Sequence, residues 1–116
     1  MDTRRMPREL ALDLYKRSHC SVQVAAVLSD RRGIFAWGWN CTGRVRGIHA
    51  EEQALKRANP KRVAGSTLII VGRRRKSGAF VYARPCEQMC MLLVRKRKIA
   101  CVEFLTPCGD WEVMKF

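Results

Sequence analysis

His49, Glu51, Cys86 and Cys90 are the residues of this chain whose types and spacing carry chemistry. They fall in two short runs, His49-Ala50-Glu51 and Pro85-Cys86-Glu87-Gln88-Met89-Cys90. One imidazole and two thiolates form a donor set suited to zinc, and three protein ligands leave the fourth tetrahedral position open to water. Glu51 is not needed as a ligand, and a carboxylate at that place can shuttle protons beside an activated water. A structural zinc site would be closed by a fourth Cys or His and would leave Glu51 without a task. One cysteine alone would read as a small, inert, buried hydrophobe. The two runs together do not.

The elements that must position these residues follow from pattern. Residues 7–18 predict a first helix, with Pro7 in its first turn. Val22 to Leu28 and Ile34 to Trp39 predict a hairpin around the turn Asp30-Arg31-Arg32-Gly33. A polar loop then leads to a helix that His49 opens and that ends near Asn59-Pro60, because Pro60 disfavours helix before it. Thr67 to Val71 predicts a β-branched strand, central in the sheet. From Gly72 to Arg84 an inserted basic turn, Arg73-Arg74-Arg75-Lys76-Ser77-Gly78, precedes a short extended return. A helix opened by Pro85-Cys86 and running to about Lys98 is followed by strands at Ile99–Leu105 and Trp111–Met114. Cysteines at i and i+4 lie on one helix face, so both sulfurs can reach one metal. The element order is αββαβαββ. Strands joined through a helix should run parallel, and the tight final turn makes the last two antiparallel.

His-Ala-Glu followed by Pro-Cys-x3-Cys resembles the signature of the cytidine deaminase superfamily, the zinc-dependent nucleobase deaminases. The commonest form has two residues between the cysteines where this chain has three, a departure that bears on the subfamily and not on the metal. The resemblance implies a single domain over 1–116 with a three-layer α/β/α fold and a mixed five-stranded sheet. It implies one catalytic Zn2+ held by His49, Cys86 and Cys90, with Glu51 as the catalytic proton shuttle. It also implies a sugar-binding Asn at Asn40, against which stands the turn-forming habit of Asn. The antiparallel ending looks like the branch of free-nucleoside cytidine deaminases and bacterial toxin deaminases.

The charge is the second large signal. Twenty-three Lys and Arg against ten Asp and Glu give a net charge of +13. Solubility needs less than that, and an enzyme of small free nucleosides has no use for such a field, whereas a polyanion binder has. The expected partner is therefore single-stranded nucleic acid, held by Arg44, Arg46, Arg73, Arg74, Arg75, Lys76 and Arg84. Trp39, Tyr82 and Trp111 fall near predicted strand ends, where they could stack on bases. Ala50 and Pro85, beside the ligands, join Asn40 and these aromatics as expected substrate-binding residues.

The function expected is hydrolytic deamination of cytosine to uracil in nucleic acid, foremost single-stranded DNA and otherwise RNA. The alternative is a free cytidine, deoxycytidine or deoxycytidine monophosphate deaminase, for which the resemblance implies a homo-oligomer. Adenine and double-stranded DNA stay open as further targets, as does a non-enzymatic nucleic-acid-binding module, against which an intact Glu51 argues. No apolar run is long enough to span a membrane, and the first residues lack the apolar stretch of a signal peptide. A cytoplasmic location is expected, with a delivered toxin or phage origin left open. Six cysteines then read as metal ligands and reduced thiols; Cys20, Cys41, Cys101 and Cys108 are taken as small hydrophobes, the last of them at an exposed turn.

Overall fold

The hairpin of β1 (Val22–Asp30) and β2 (Gly33–Trp39) starts the sheet. Its turn is closed by the Asp30 carboxylate, which accepts from the Arg32 N–H at 2.9 Å, and by Gly33 at φ 117°, a conformation that favours glycine. A bulge between Leu28 and Ser29 shifts the register. The computed structural model describes residues 6–41, 49–85 and 90–116.

Around this hairpin the sheet runs in the order β2-β1-β3-β4-β5. β3 (Thr67–Arg74) lies antiparallel to β1, and β4 (Cys101–Leu105) parallel to β3. β5 (Trp111–Lys115) returns antiparallel to β4 through the turn at Thr106–Asp110. The expected mixed five-stranded sheet with an antiparallel ending is the one found. β2 and β3, joined through a helix, point the same way, since each is antiparallel to β1 between them.

Four α-helices complete the described residues: α1 (Pro7–Leu14), α2 (Ala50–Arg57), α3 (Pro60–Val63) and α4 (Cys90–Lys96). The period-two alternation of the strands sends their side chains to two faces. Ala26, Leu28, Leu68, Ile70, Val102 and Phe104 pack under Ala54 and Leu55 of α2, Val63 of α3, and Met91 and Val94 of α4. On the other face Ala25, Val27, Ile69, Val71 and Leu105 pack under Ala11, Leu14 and Tyr15. This is the expected three-layer α/β/α arrangement.

Several boundaries differ from the pattern reading. The first helix changes to a single 3-10 turn at Tyr15–Arg17 rather than running to residue 18. Asn59 and Pro60 stop α2 as expected, but Asn59 then caps a new four-residue helix, its side chain accepting from the Lys61 N–H at 3.0 Å. β3 extends past Val71 because Gly72, Arg73 and Arg74 pair with Val24, Gln23 and Val22. α4 ends in a Schellman motif. The Ile99 N–H bonds to the Val94 carbonyl and the Lys98 N–H to that of Arg95, with Lys98 at φ 59° in the position glycine usually takes. Cys20, Cys41 and Cys101 are half-buried rather than buried, and Cys108 is exposed; with Cys90 all are free thiols. Among the described residues no helix is long and apolar enough to cross a membrane.

Candidate active site

α2 brings the first chemical run into place. His49 is its N-cap, in extended conformation at φ −73° and ψ 149°. The Glu52 carboxylate accepts from the His49 N–H at 3.2 Å and closes a capping box. That fixes where the helix starts and so where Glu51 points. Glu51 lies in the first turn, 6% exposed, where unpaired helix N–H groups favour an anion. The helix can sit this close to the sheet because Gly38 of β2 has no side chain: a Cβ there would stand 2.7 Å from the Ala54 nitrogen and 2.8 Å from the Ala50 oxygen.

α4 brings the second run. Cys90, its first described residue, is 1% exposed, and its Sγ lies 3.3 Å from Nδ1 of His49. Two ligands of one tetrahedral zinc, an imidazole nitrogen and a thiolate, stand about 3.5 Å apart given their usual bond lengths. The pair therefore fits a shared zinc. Cys86 lies outside the described residues, as do Arg44 and Arg46.

Beside this pair is a pocket of about 270 Å³ lined by Val22, Val24, Asn40, His49, Ala50, Glu51, Ile70 and the segment Val81–Arg84. The extension of β3 builds its outer wall. After the basic turn the chain folds back, the Val81 N–H bonding to the Gly72 carbonyl at 3.0 Å and the Ala83 N–H to that of Leu105 at 3.3 Å. Gly72 leaves room for this return, since a Cβ there would stand 2.7 Å from Val81 Cγ2.

Asn40 lines the pocket with an amide whose orientation is fixed. Its Oδ1 accepts from the Ser18 hydroxyl at 2.6 Å and from the Val24 N–H at 2.9 Å, and its Nδ2 donates to the Val22 carbonyl at 2.8 Å. Both acceptor positions are thereby filled, and among the described residues one Nδ2 hydrogen has no acceptor. Ser18, 2% exposed, had no sequence signal, because only the fold brings it to a residue so far along the chain. Tyr82, 52% exposed, lines the outer wall, its ring edge-on to Phe104 at 5.3 Å. Its hydroxyl donates to Glu112 at 2.9 Å, and that carboxylate pushes the phenol pKa up.

The structure brings His49, Ala50, Glu51, Cys90, Asn40, Tyr82 and Arg84 together at this pocket. It does not bring Trp39 or Trp111 there. Trp39 is paired with Ala25 and so faces the α1 side of the sheet, where Arg17 and Arg57 stack on it at 5.4 and 4.9 Å. Trp111 packs on that same side, under Arg8 at 4.6 Å. Neighbouring strand residues face opposite ways, so Asn40 at the pocket puts Trp39 behind it. Pro85 is buried and leads towards α4 without lining the pocket. Arg73 is also withdrawn from any ligand. Its guanidinium donates to the Gly78 carbonyl at 2.7 Å and to the Tyr15 hydroxyl, and stacks on Tyr15 and Phe80. Arg74, Arg75 and Lys76 are exposed.

Comparison with known proteins agrees with this geometry. The sequence pattern described as the cytidine and deoxycytidylate deaminase zinc-binding region matches residues 2–108. The fold is similar to that of cytidine deaminase from Burkholderia pseudomallei, with a TM-score of 0.68 and 20% identity over 94% of this chain and 89% of that one. It is similar also to dCMP deaminase from the cyanophage S-TIM5, with a TM-score of 0.65 and 20% identity over 86% of this chain and 79% of that one. No curated protein matches the chain. A pattern that spans nearly the whole sequence, laid over a histidine and a cysteine at ligand distance with a buried glutamate beside them, places the chain in the family of zinc-dependent cytidine and deoxycytidylate deaminases.

Proposed function

We propose that this deaminase converts cytosine to uracil within nucleic acid, foremost single-stranded DNA. The observation that carries the reading is a base-sized pocket of about 270 Å³ on a chain of net charge +13. A base held in a duplex hides its ring carbon, and taking it from a single strand avoids an unstacking cost of a few kcal/mol.

The residues would divide the work as follows. His49, Cys86 and Cys90 hold zinc, which when bound makes a water acidic enough to attack at neutral pH. Glu51 accepts a proton from the attacking water as oxygen adds to C4 of cytosine. It delivers that proton to N3, then takes the proton of the new C4 hydroxyl and passes it to the departing amine, so that cytosine and water give uracil and ammonia. Its burial keeps bulk water from competing for those protons. Val22, Val24 and Ile70 enclose the apolar faces of the base. Asn40 donates its remaining hydrogen to the sugar.

The test is turnover of deoxycytidine, its monophosphate and a cytosine-containing oligonucleotide, each over a range of salt. The oligonucleotide should be the preferred substrate, with log affinity falling by roughly 0.7 per phosphate contacted for each decade of salt. A flat salt response would remove the polynucleotide reading. The second reading, a deoxycytidine monophosphate deaminase, is favoured by Arg84 on the pocket wall, a residue type suited to gripping one phosphate. In that case the monophosphate would outrun the oligonucleotide.

A further inference from the structure

The register of β3 sorts its basic residues into two groups. Arg73 is paired with Gln23 and lies on the α1 face, where its guanidinium is taken up by Gly78, Tyr15 and Phe80. Arg74 is paired with Val22. Residues directly opposite in an antiparallel pair share a face, and Val22 lines the substrate pocket. Arg74 therefore rises from the pocket face of the sheet, at the pocket's edge.

The turn beyond Arg74 is fastened down. The Arg75 N–H bonds to the Ser21 carbonyl at 2.9 Å, and the Arg75 guanidinium donates to the His19 carbonyl at 3.2 Å. The Gly78 N–H closes the turn on the Arg74 carbonyl at 2.9 Å. Between the turn and the chain entering β1 is an open groove of about 640 Å³ lined by His19, Ser21, Arg74, Arg75, Lys76 and Ser77. Among the described residues no carboxylate pairs with Arg74, Arg75 or Lys76. The groove adjoins the pocket, because Ser21 in the one is followed directly by Val22 in the other.

We infer that this groove is a phosphate-binding subsite, which holds the backbone of a single strand next to the nucleotide whose base occupies the pocket. The inference rests on the polynucleotide reading above and names the residues that carry it. Three cations that no described carboxylate neutralises, on an anchored turn, attract a polyanion by releasing its counterions. Ser21 and Ser77 add hydroxyls that can donate to phosphate oxygens. A free nucleoside would not reach the groove.

The experiment is binding of a dye-labelled oligothymidine, which contains no cytosine, measured by fluorescence anisotropy between 0.1 and 1 M salt. Arg74→Gln/Lys76→Gln removes two cations that make no bond within the described protein, and its melting temperature reports that it folds. At 0.7 per phosphate, losing two contacts lowers the salt slope by about 1.4 and weakens binding about 25-fold at 0.1 M salt relative to 1 M. Arg95→Gln/Lys96→Gln, in the last turn of α4, makes the same change in net charge far from the groove and should leave the slope nearly as in the wild type. An unchanged slope in the first variant, or an equal loss in the second, overturns the subsite. Uracil formation by the wild-type protein on cytosine oligonucleotides is scored separately. Its absence removes the polynucleotide reading, whereas an unchanged slope beside active deamination removes only the subsite.

Discussion

Replacing Gly38 with alanine tests how closely the site depends on the seating of α2. The new Cβ would stand 2.7 Å from the Ala54 nitrogen, 2.8 Å from the Ala50 oxygen and 2.8 Å from Gln53 Cβ, whereas ordinary contact begins at 3.4 Å. Two of these three neighbours are backbone atoms, so no rotamer change relieves the overlap. β2 and α2 must separate by about 0.7 Å, the shortfall of the 2.7 Å contact from that 3.4 Å limit. Overpacking of that kind costs about 1–3 kcal/mol, and each kcal/mol lowers the melting temperature by about 4 °C in a domain near this size. A fall of about 4–12 °C is therefore expected by circular dichroism. α2 carries His49 and Glu51 with it, while Cys90 stays on α4. Misplacing reacting groups by about 1 Å costs on the order of 100-fold in rate, so deamination well below the melting temperature should drop by tens of fold. Gly65→Ala is the comparison. Gly65 sits at φ 81° with nothing within 4 Å of an added Cβ, so that variant should lose stability through backbone strain and keep its turnover. A Gly38→Ala protein that melts and turns over like the wild type would refute the reasoning.

Glu51→Gln should retain zinc, by elemental analysis, and lose about 100- to 10,000-fold in turnover, the usual worth of a positioned acid–base group; undiminished turnover would take Glu51 out of the reaction. Asp30 is held down to a pKa of about 2, first by the hydrogen bonds from Arg62 and also by the Arg32 N–H, against an ordinary 3.8. A carboxyl lowered in the folded state stabilises above its unfolded pKa, and that contribution fades as pH falls from about 4 to 2. Urea unfolding of Asp30→Asn should therefore depend less on pH across that window than the wild type does, and parallel curves would contradict the assignment. Ser18→Ala removes one of the two donors on Asn40 Oδ1. It should cost about 0.5–1.5 kcal/mol of stability and raise KM more than it lowers kcat, and a change in kcat alone would show that Asn40 does not bind ground-state substrate.

Much of the site was legible because its parts are local. His49, Glu51 and Cys90 announce zinc chemistry by type and spacing, and the helix start at the first run follows from the residues around it, while the start expected at Pro85-Cys86 falls at the edge of the described residues. The sheet followed from strand patterns and turn residues, including the antiparallel pair at the end. What the sequence hid depends on facing and on distance through space. Trp39 and Asn40 are neighbours in the chain, and only the pairing of Trp39 with Ala25 shows that one turns to α1 and the other to the pocket. Arg73 and Arg74 look alike in a basic run, yet the same alternation makes one a clamp and leaves the other exposed. Ser18 meets Asn40 across β1, which no local pattern encodes. Gly38 did carry a signal, since a glycine within a strand marks close approach of another backbone.

The amide of Asn40 bears on which substrate the pocket suits. Its Oδ1 already receives two hydrogen bonds, and the donors are the Ser18 hydroxyl and a backbone N–H that cannot turn away. With Asn40 as the sugar contact, the residue can give a hydrogen bond there and has no lone pair left to take one. A free sugar hydroxyl offers both a proton and lone pairs, whereas an oxygen esterified within a strand offers lone pairs alone. Asn40 therefore gains nothing from the proton that distinguishes a free nucleoside. A site built to use that proton would penalise its loss by orders of magnitude, since a polar group of the protein would be left unpaired. Here the penalty should be absent. Deoxycytidine methylated on its 3′ oxygen should be deaminated within a few-fold of deoxycytidine, as judged by kcat/KM. A preference for the free hydroxyl of more than about 100-fold would mean that some other acceptor takes its proton, and the donor-only account of Asn40 would fail.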